Sequence, residues 1–252
     1  MRKWSTQAVV AGALLLLGSA PVPAAEITIL AGMGNVSGLR DLAPAFEKTT
    51  GNKVIVSFEQ GPAMNRKINS GAPTDVAALQ PDQLDAFIKD GKIVPGTHTN
   101  FSQAGVGVAV KAGAARPDIS TLKAFRVAML QATSIGYSRG GSGLIAAKVM
   151  EKLGIAGELK PRTKFIDGTP VAEAVAKGDV EVGLQQINVI LPVAGADYVG
   201  PLPGDLQQTV KFAAGVLAVS KEPEAAKAFL KFIASPEAGP LLRKSGMEPW
   251  TD

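Results

Sequence analysis

Ile27-Thr28-Ile29-Leu30-Ala31-Gly32-Met33-Gly34-Asn35-Val36-Ser37-Gly38-Leu39-Arg40-Asp41-Leu42-Ala43-Pro44-Ala45-Phe46 changes its periodicity halfway along. Residues 27–30 are a short run rich in β-formers, whereas Val36, Leu39, Leu42, Ala43 and Phe46 recur at helical spacing. A strand, a glycine loop and an amphipathic helix therefore follow one another. Pro44 lies inside the helical pattern and removes one hydrogen bond, so a bend or a helix broken in two is expected there.

The same unit recurs downstream. Val54 to Phe58 reads as a second strand, followed by a helix from Pro62 to Ser70 with proline at its first position and Gly71 as its stop. Asp75 to Leu79 reads as a third strand, and Pro81 opens a helix through Leu84, Phe87 and Ile88 that ends at Gly91. Alternating βα units imply a mostly parallel sheet with helices on both faces. Two further apolar runs, Val106 to Val110 and Val210 to Val219, bracket strands at 134–137 and 181–184 and helical patterns near 144–153 and 171–177. Read as paired crossover strands, these runs leave one α/β lobe and return to it. Helices from Pro223 to Ala234 and Glu237 to Ser245, stopped by Gly246, then close the chain. The expected layout is discontinuous: residues 26–104 with 211–252 as lobe 1, and 105–210 as lobe 2.

The N-terminus carries an address. Arg2 and Lys3, the apolar stretch Ala8 to Leu17 and the small-residue end Val22-Pro23-Ala24 are the three parts of a secretory signal peptide, residues 1–25, with cleavage expected near residues 24–25. The apolar stretch is about half of the ~20 residues a spanning helix needs. No cysteine follows it, so a lipid anchor at the usual place is not expected, and the location expected is the periplasm. The chain contains no cysteine at all, so the fold must rest on burial rather than disulfides. Removing Arg2 and Lys3 lowers the net charge from +4 to +2, with no lysine or arginine block and no interleaved aromatic residues. That pattern argues against nucleic acid as a partner.

Four loops punctuate the strand-to-helix junctions: Gly32-Met33-Gly34-Asn35, Gln60-Gly61-Pro62-Ala63, Ser138-Arg139-Gly140-Gly141-Ser142-Gly143 and Asp167-Gly168-Thr169-Pro170. Each directs unpaired backbone N–H groups and a positive helix end outward, so several loops converging would make an anion receptor from main chain alone. Micromolar capture needs about 8 kcal/mol, and a hydrogen bond to a charged group nets roughly 1.5–3 kcal/mol. Four or five donors and one arginine would therefore suffice before association costs.

The order and content of these segments resemble periplasmic solute-binding proteins of the molybdate-binding type, two-lobed receptors that serve ABC importers. The resemblance is carried by Ile27-Thr28-Ile29-Leu30-Ala31, Ala45-Phe46-Glu47-Lys48, Val56-Ser57-Phe58, Arg66-Lys67-Ile68-Asn69-Ser70-Gly71-Ala72-Pro73-Thr74-Asp75-Val76, Lys152-Leu153-Gly154 and Ala228-Phe229-Leu230-Lys231-Phe232. It implies a type II periplasmic-binding-protein fold, each lobe a mostly parallel sheet flanked by helices and joined by two crossover strands. It further implies a small anionic ligand and an inner-membrane ABC permease as partners, with the receptor itself a monomer. In molybdate receptors, serines after strands one and two and a late tyrosine donate to the oxyanion. The matching places here hold Gly34, the stretch Gln60-Gly61-Pro62, and Gln186. Longer amides and Arg139 suit a planar carboxylate better than a tetrahedral oxyanion, so a small organic acid is favoured.

The residues expected at the ligand are Gly34, Asn35, Gln60, Gly61, Ala63, Arg66, Ser138, Arg139, Gly140, Gly141, Ser142, Thr169 and Gln186, of which Thr169 and Gln186 rest on the resemblance alone. No metal or cofactor is expected. His98, the single histidine, has no second histidine or cysteine to share an ion, and neither GxxxxGK nor GxGxxG occurs. Ser142 lacks the glycine two places later that a nucleophile elbow requires, because Leu144 stands there. A rival reading is enzymatic: some proteins similar to this family are aconitate isomerases, which shift a double bond by proton transfer. Such chemistry needs a general base, and Glu59, Asp167 and His98 are the candidates near the loops.

Overall fold

The computed structural model describes residues 24–59 and 61–250. Apart from Ala24 and Ala25, the expected export signal lies outside the described residues, and so does Gln60. Strand β1 (Glu26–Gly32) passes through a 3-10 turn, Met33–Asn35, into helix α1 (Val36–Thr50). Of the bend or break expected at Pro44, the break does not occur: α1 is one helix. Pro44 is exposed, so water can satisfy the carbonyl that its missing N–H leaves unpaired. Strand β2 (Lys53–Glu59), helix α2 (Gly61–Asn69), strand β3 (Val76–Leu79) and helix α3 (Pro81–Lys89) follow, each within a residue of the sequence expectation.

Strand β4 (Thr99–Lys111) is much longer than the apolar run Val106 to Val110 that announced it. Its first half alternates buried and part-exposed residues, which dilutes the hydrophobic signal. Helix α4 (Leu122–Gln131), strand β5 (Ile135–Tyr137), helices α5 (Gly141–Lys152) and α6 (Ala156–Leu159) and strand β6 (Thr163–Phe165) come next. They are followed by helix α7 (Val171–Lys177), strand β7 (Val182–Gln186), helix α8 (Ile187–Ile190) and strand β8 (Ala196–Pro201). The chain ends with strand β9 (Thr209–Val216), helices α9 (Pro223–Ile233) and α10 (Ala238–Lys244) and the short strand β10 (Glu248–Pro249). Six of these, α4, α6, α8, β6, β8 and β10, had no counterpart in the sequence reading. Three are short strands or partly exposed ones, where periodicity has little length in which to show.

The strand order is β2-β1-β3-β9-β4-β7-β5-β6. β1 is parallel to β2 and β3, and β5 is parallel to β6 and β7. Between these two parallel groups, β9 and β4 run antiparallel to each other and to their outer neighbours β3 and β7. Two lobes thus share a pair of long strands.

Burial explains the arrangement. In β1, Ile27, Ile29 and Ala31 pack against α1 and α9 side chains such as Leu39, Phe46 and Phe229. Leu30, on the opposite face, packs with Met64 and Ile68 of α2 and with Leu84 and Phe87 of α3. β4 contributes Phe101 and Ala104 to the first of these cores and Val106, Val108 and Val110 to a separate one with Phe125, Met129, Ala146 and Val149. Phe46 and Phe229 meet edge to face at 5.2 Å, a geometry that matches ring edge to ring face.

The Gly71-Ala72-Pro73-Thr74-Asp75 turn has a structural role. Gly71 adopts φ +68, which favours glycine, and Asp75 is 6% exposed. Its carboxylate accepts from Thr28 N (2.8 Å), Thr28 Oγ1 (2.9 Å), Ser220 Oγ (2.7 Å), Lys221 N (3.0 Å) and Glu222 N (3.3 Å). One side chain therefore ties β1, β3 and the entry to α9 together. Burial alone would push this carboxyl upward, but the donors from Thr28, Ser220 and Glu222 outweigh it and hold it below the ordinary aspartate range.

Candidate functional site

The expected residues lie in the loops that follow β1, β2, β5 and β6 and at the end of β7, and the two lobes meet at three places where the ends of β1, β3, β5 and β7 come together. First, Asn188 at the start of α8 donates through Nδ2 to Gly34 O at 2.8 Å and to Ser37 Oγ at 2.9 Å. Gly34 O can only accept, which fixes the orientation of the amide. Second, a Cβ added to Gly34 would lie 3.0 Å from Gln186 Nε2 and 2.8 Å from Phe212 Cζ. Third, a Cβ on Gly141, the first residue of α5, would lie 3.0 Å from Gln80 Nε2 and 3.2 Å from Val210 Cγ1. Only glycine lets these backbones approach so closely.

Several expected residues lie near these cross-lobe contacts without reaching across them. Asn35 is 1% exposed and its Nδ2 donates within its own lobe, to Gly32 O (3.4 Å) and Ala78 O (3.3 Å). Ser138 Oγ accepts from Gly140 N at 3.2 Å and so shapes the loop before α5. Ser142 is buried, and Gly143 beside it packs so tightly that an added Cβ would fall 1.6 Å from Ser138 O. Tight packing of this kind holds the α5 N-terminus in one position.

The expected cation is already partnered. Arg139 Nη1 donates to Asp167 Oδ2, and its guanidinium lies 4.4 Å from the centroid of Phe165, which in turn meets Tyr137 edge to face at 5.4 Å. All of this sits at the exposed ends of β5 and β6. Asp167 is thereby the partner of Arg139 rather than an isolated base. Glu59 likewise pairs with Lys67, and His98 has both ring nitrogens against oxygen acceptors, Asp85 Oδ1 at 2.8 Å and Asn100 Oδ1 at 2.9 Å.

Other expected residues are not drawn into the cross-lobe contacts. Gly61 is exposed with open space around its Cβ position, Ala63 is half-buried, Arg66 is exposed on α2, and Thr169 is exposed in the loop before α7. Among the described residues no group of three His, Cys, Asp or Glu side chains could hold a metal ion, and no helix is long and apolar enough to cross a membrane. An apolar cavity of about 140 Å³ lies elsewhere, lined by Leu30, Ile68 and Leu217 and flanked by Lys67 and Lys92; it shares no residue with the interlobe contacts.

Two contributors escaped the sequence reading. Gln80 follows a fully buried four-residue strand, and Asn188 lies two residues beyond Gln186. The available signal for both was an amide at a strand-to-helix junction.

This architecture defines a class. The family described as bacterial extracellular solute-binding protein matches residues 27–248, so the chain belongs to it, and the fold is that of the two-lobed type II periplasmic binding proteins. The chain is 29% identical over 245 residues to an aconitate isomerase of a Pseudomonas species, covering 93% of this chain and 94% of that protein. It is 27% identical over 232 residues to a molybdate-binding protein of Azotobacter vinelandii, covering 88% and 90% of the two chains. In solved structures it superposes on the periplasmic molybdate-binding protein of Azotobacter vinelandii with a TM-score of 0.74, at 18% identity, over 90% of this chain and 99% of that one.

Proposed function

We propose that this solute-binding protein captures a small organic acid in the crevice between its lobes and delivers it, as a periplasmic monomer, to the inner-membrane permease of an ABC importer. On this reading residues 1–25 are a removed export signal, lobe 1 comprises residues 26–104 and 211–252, and lobe 2 comprises 105–210. The observation that carries it is the cross-lobe approach of two glycines to two amides, Gly34 to Gln186 and Gly141 to Gln80. Backbone N–H groups and neutral carboxamides can hold an anion without a compensating buried cation, and the one nearby guanidinium is shared with Asp167. The lining also includes Phe212 and Val210, hydrocarbon that suits a carbon skeleton. Ligand capture would then be a closure of the lobes about β4 and β9.

Calorimetry of the mature protein against molybdate, tungstate, sulfate and a set of di- and tricarboxylates tests this. Binding confined to carboxylates is expected; preference for molybdate would overturn the organic-acid reading, and silence toward all of them would overturn the receptor reading.

The likeness to an aconitate isomerase over nearly the whole chain favours a second reading, a periplasmic isomerase of a small tricarboxylate. Asp167, Glu59 or His98 would then supply the base, each after leaving its present partner. Ultraviolet detection of cis- and trans-aconitate interconversion separates the two, since a receptor binds without turnover.

A further inference from the structure

The two amides that face the opposite lobe's glycines have the same local construction. Gln80 follows β3 directly and precedes α3 with an extended backbone, φ −72 and ψ 147, and its side chain does not cap its own helix. Gln186 ends β7 and precedes α8 with φ −56 and ψ 136, and it too leaves its helix uncapped. Among the described residues neither carboxamide makes a side-chain hydrogen bond, although Gln186 is only 8% exposed. Each amide therefore keeps its donors free beside the opposite lobe's glycine, where a ligand oxygen can accept from them.

We propose that Gln80 and Gln186 form a crossed pair of primary amides, one from each lobe, that grips a ligand carboxylate and selects it over tetrahedral oxyanions. This rests on the organic-acid reading above and adds Gln80 as its specificity-determining residue. Two amide donors serve two oxygens, which is all that a carboxylate carries, whereas a tetrahedral oxyanion has two more to satisfy. A tetrahedral oxyanion would turn its remaining oxygens toward Phe212 and Val210, whose atoms lie 2.8–3.2 Å from the same glycine Cβ positions. An anionic oxygen against hydrocarbon loses its hydration and gains no hydrogen bond. The carbon skeleton of an organic acid meets those side chains without that loss.

The test is calorimetry of the mature protein and of Gln80→Ala, Gln80→Asn, Gln80→Glu and Gln186→Ala, with succinate, citrate and cis-aconitate against sulfate and molybdate as probes, and thermal melts to confirm folding. The wild type should bind at least one carboxylate tenfold or more tighter than either oxyanion. Gln80→Ala and Gln186→Ala should each weaken that binding at least tenfold. Gln80→Asn, which keeps the amide but draws it back by one methylene, should fall between, and Gln80→Glu should abolish binding at an unchanged melting temperature. If the Gln80 variants keep wild-type carboxylate affinity, the amide pair is overturned while the organic-acid reading stands. If the wild type prefers molybdate or binds none of the probes, both fall together.

Discussion

Gln186 Nε2 lies 3.0 Å from the point where a Cβ on Gly34 would stand, and the two residues belong to different lobes. Gly34→Ala would place a methyl group against that amide and 2.8 Å from Phe212 Cζ. The cheaper response is for the lobes to part slightly, because the ring of Phe212 is packed in the core. We expect a tenfold or greater loss of ligand affinity with a small change in melting temperature, measured by calorimetry and thermal denaturation.

Asn188→Ala removes two hydrogen bonds between the lobes and leaves Gly34 O without its donor. At about 1 kcal/mol per bond, the loss is enough to shift the balance of closed and open forms roughly tenfold or more. Small-angle scattering of the ligand-free variant should show a larger radius of gyration than the wild type. An unchanged radius would mean that these bonds do not hold the lobes together.

Asp75→Asn keeps the size of the side chain but discards the charge that five donors surround. A loss of about 2–3 kcal/mol at neutral pH is expected from hydrogen bonds to a charged group. Because the folded carboxyl is held below its ordinary range, its contribution is complete above the unfolded value and disappears as the pH falls through the folded one. Denaturant melts should therefore show the gap between wild type and variant closing in acid.

Gly143→Ala would drive a methyl group onto the backbone oxygen of Ser138, 1.6 Å away. Backbone cannot swing aside as a flexible side chain can, so the loop from Ser138 to Gly143 must rebuild. A destabilisation of about 2–4 kcal/mol is expected in chemical denaturation, with ligand binding lost in parallel.

Arg139→Ala breaks an ion pair whose two side chains are 62% and 55% exposed. Exposed pairs contribute less than about 1 kcal/mol, so the melting temperature should hardly move. A fall in carboxylate affinity that diminishes in high salt would assign Arg139 to the ligand; unchanged affinity would leave it a rim residue held by Asp167 and Phe165.

The βα units on either side of Gly32, Gln60 and Gln80 were readable because each strand and helix is long enough to show its own period, and because proline and glycine mark the helix ends. Helices α6 and α8 and strands β6, β8 and β10 were not, since a short or half-exposed element carries too few alternations to stand out, and helix α4 was not read either. Pro44 did not break the helix that contains it. Its local cost is real, yet the apolar stripe of Leu39, Leu42, Ala43 and Phe46 buries enough surface to carry the helix through it.

By itself the sequence determined an exported-type leader pattern, alternating βα units, and loops rich in glycine and polar residues, because these are local properties of neighbouring residues. Tertiary structure alone decided which of those loops face each other. Gln80 and Gly141 are 61 positions apart and Gly34 and Gln186 are 152 apart, so no pattern along the chain connects them. Their meeting is set by the path of β4 and β9 between the lobes, and that path depends on the packing of whole sheets.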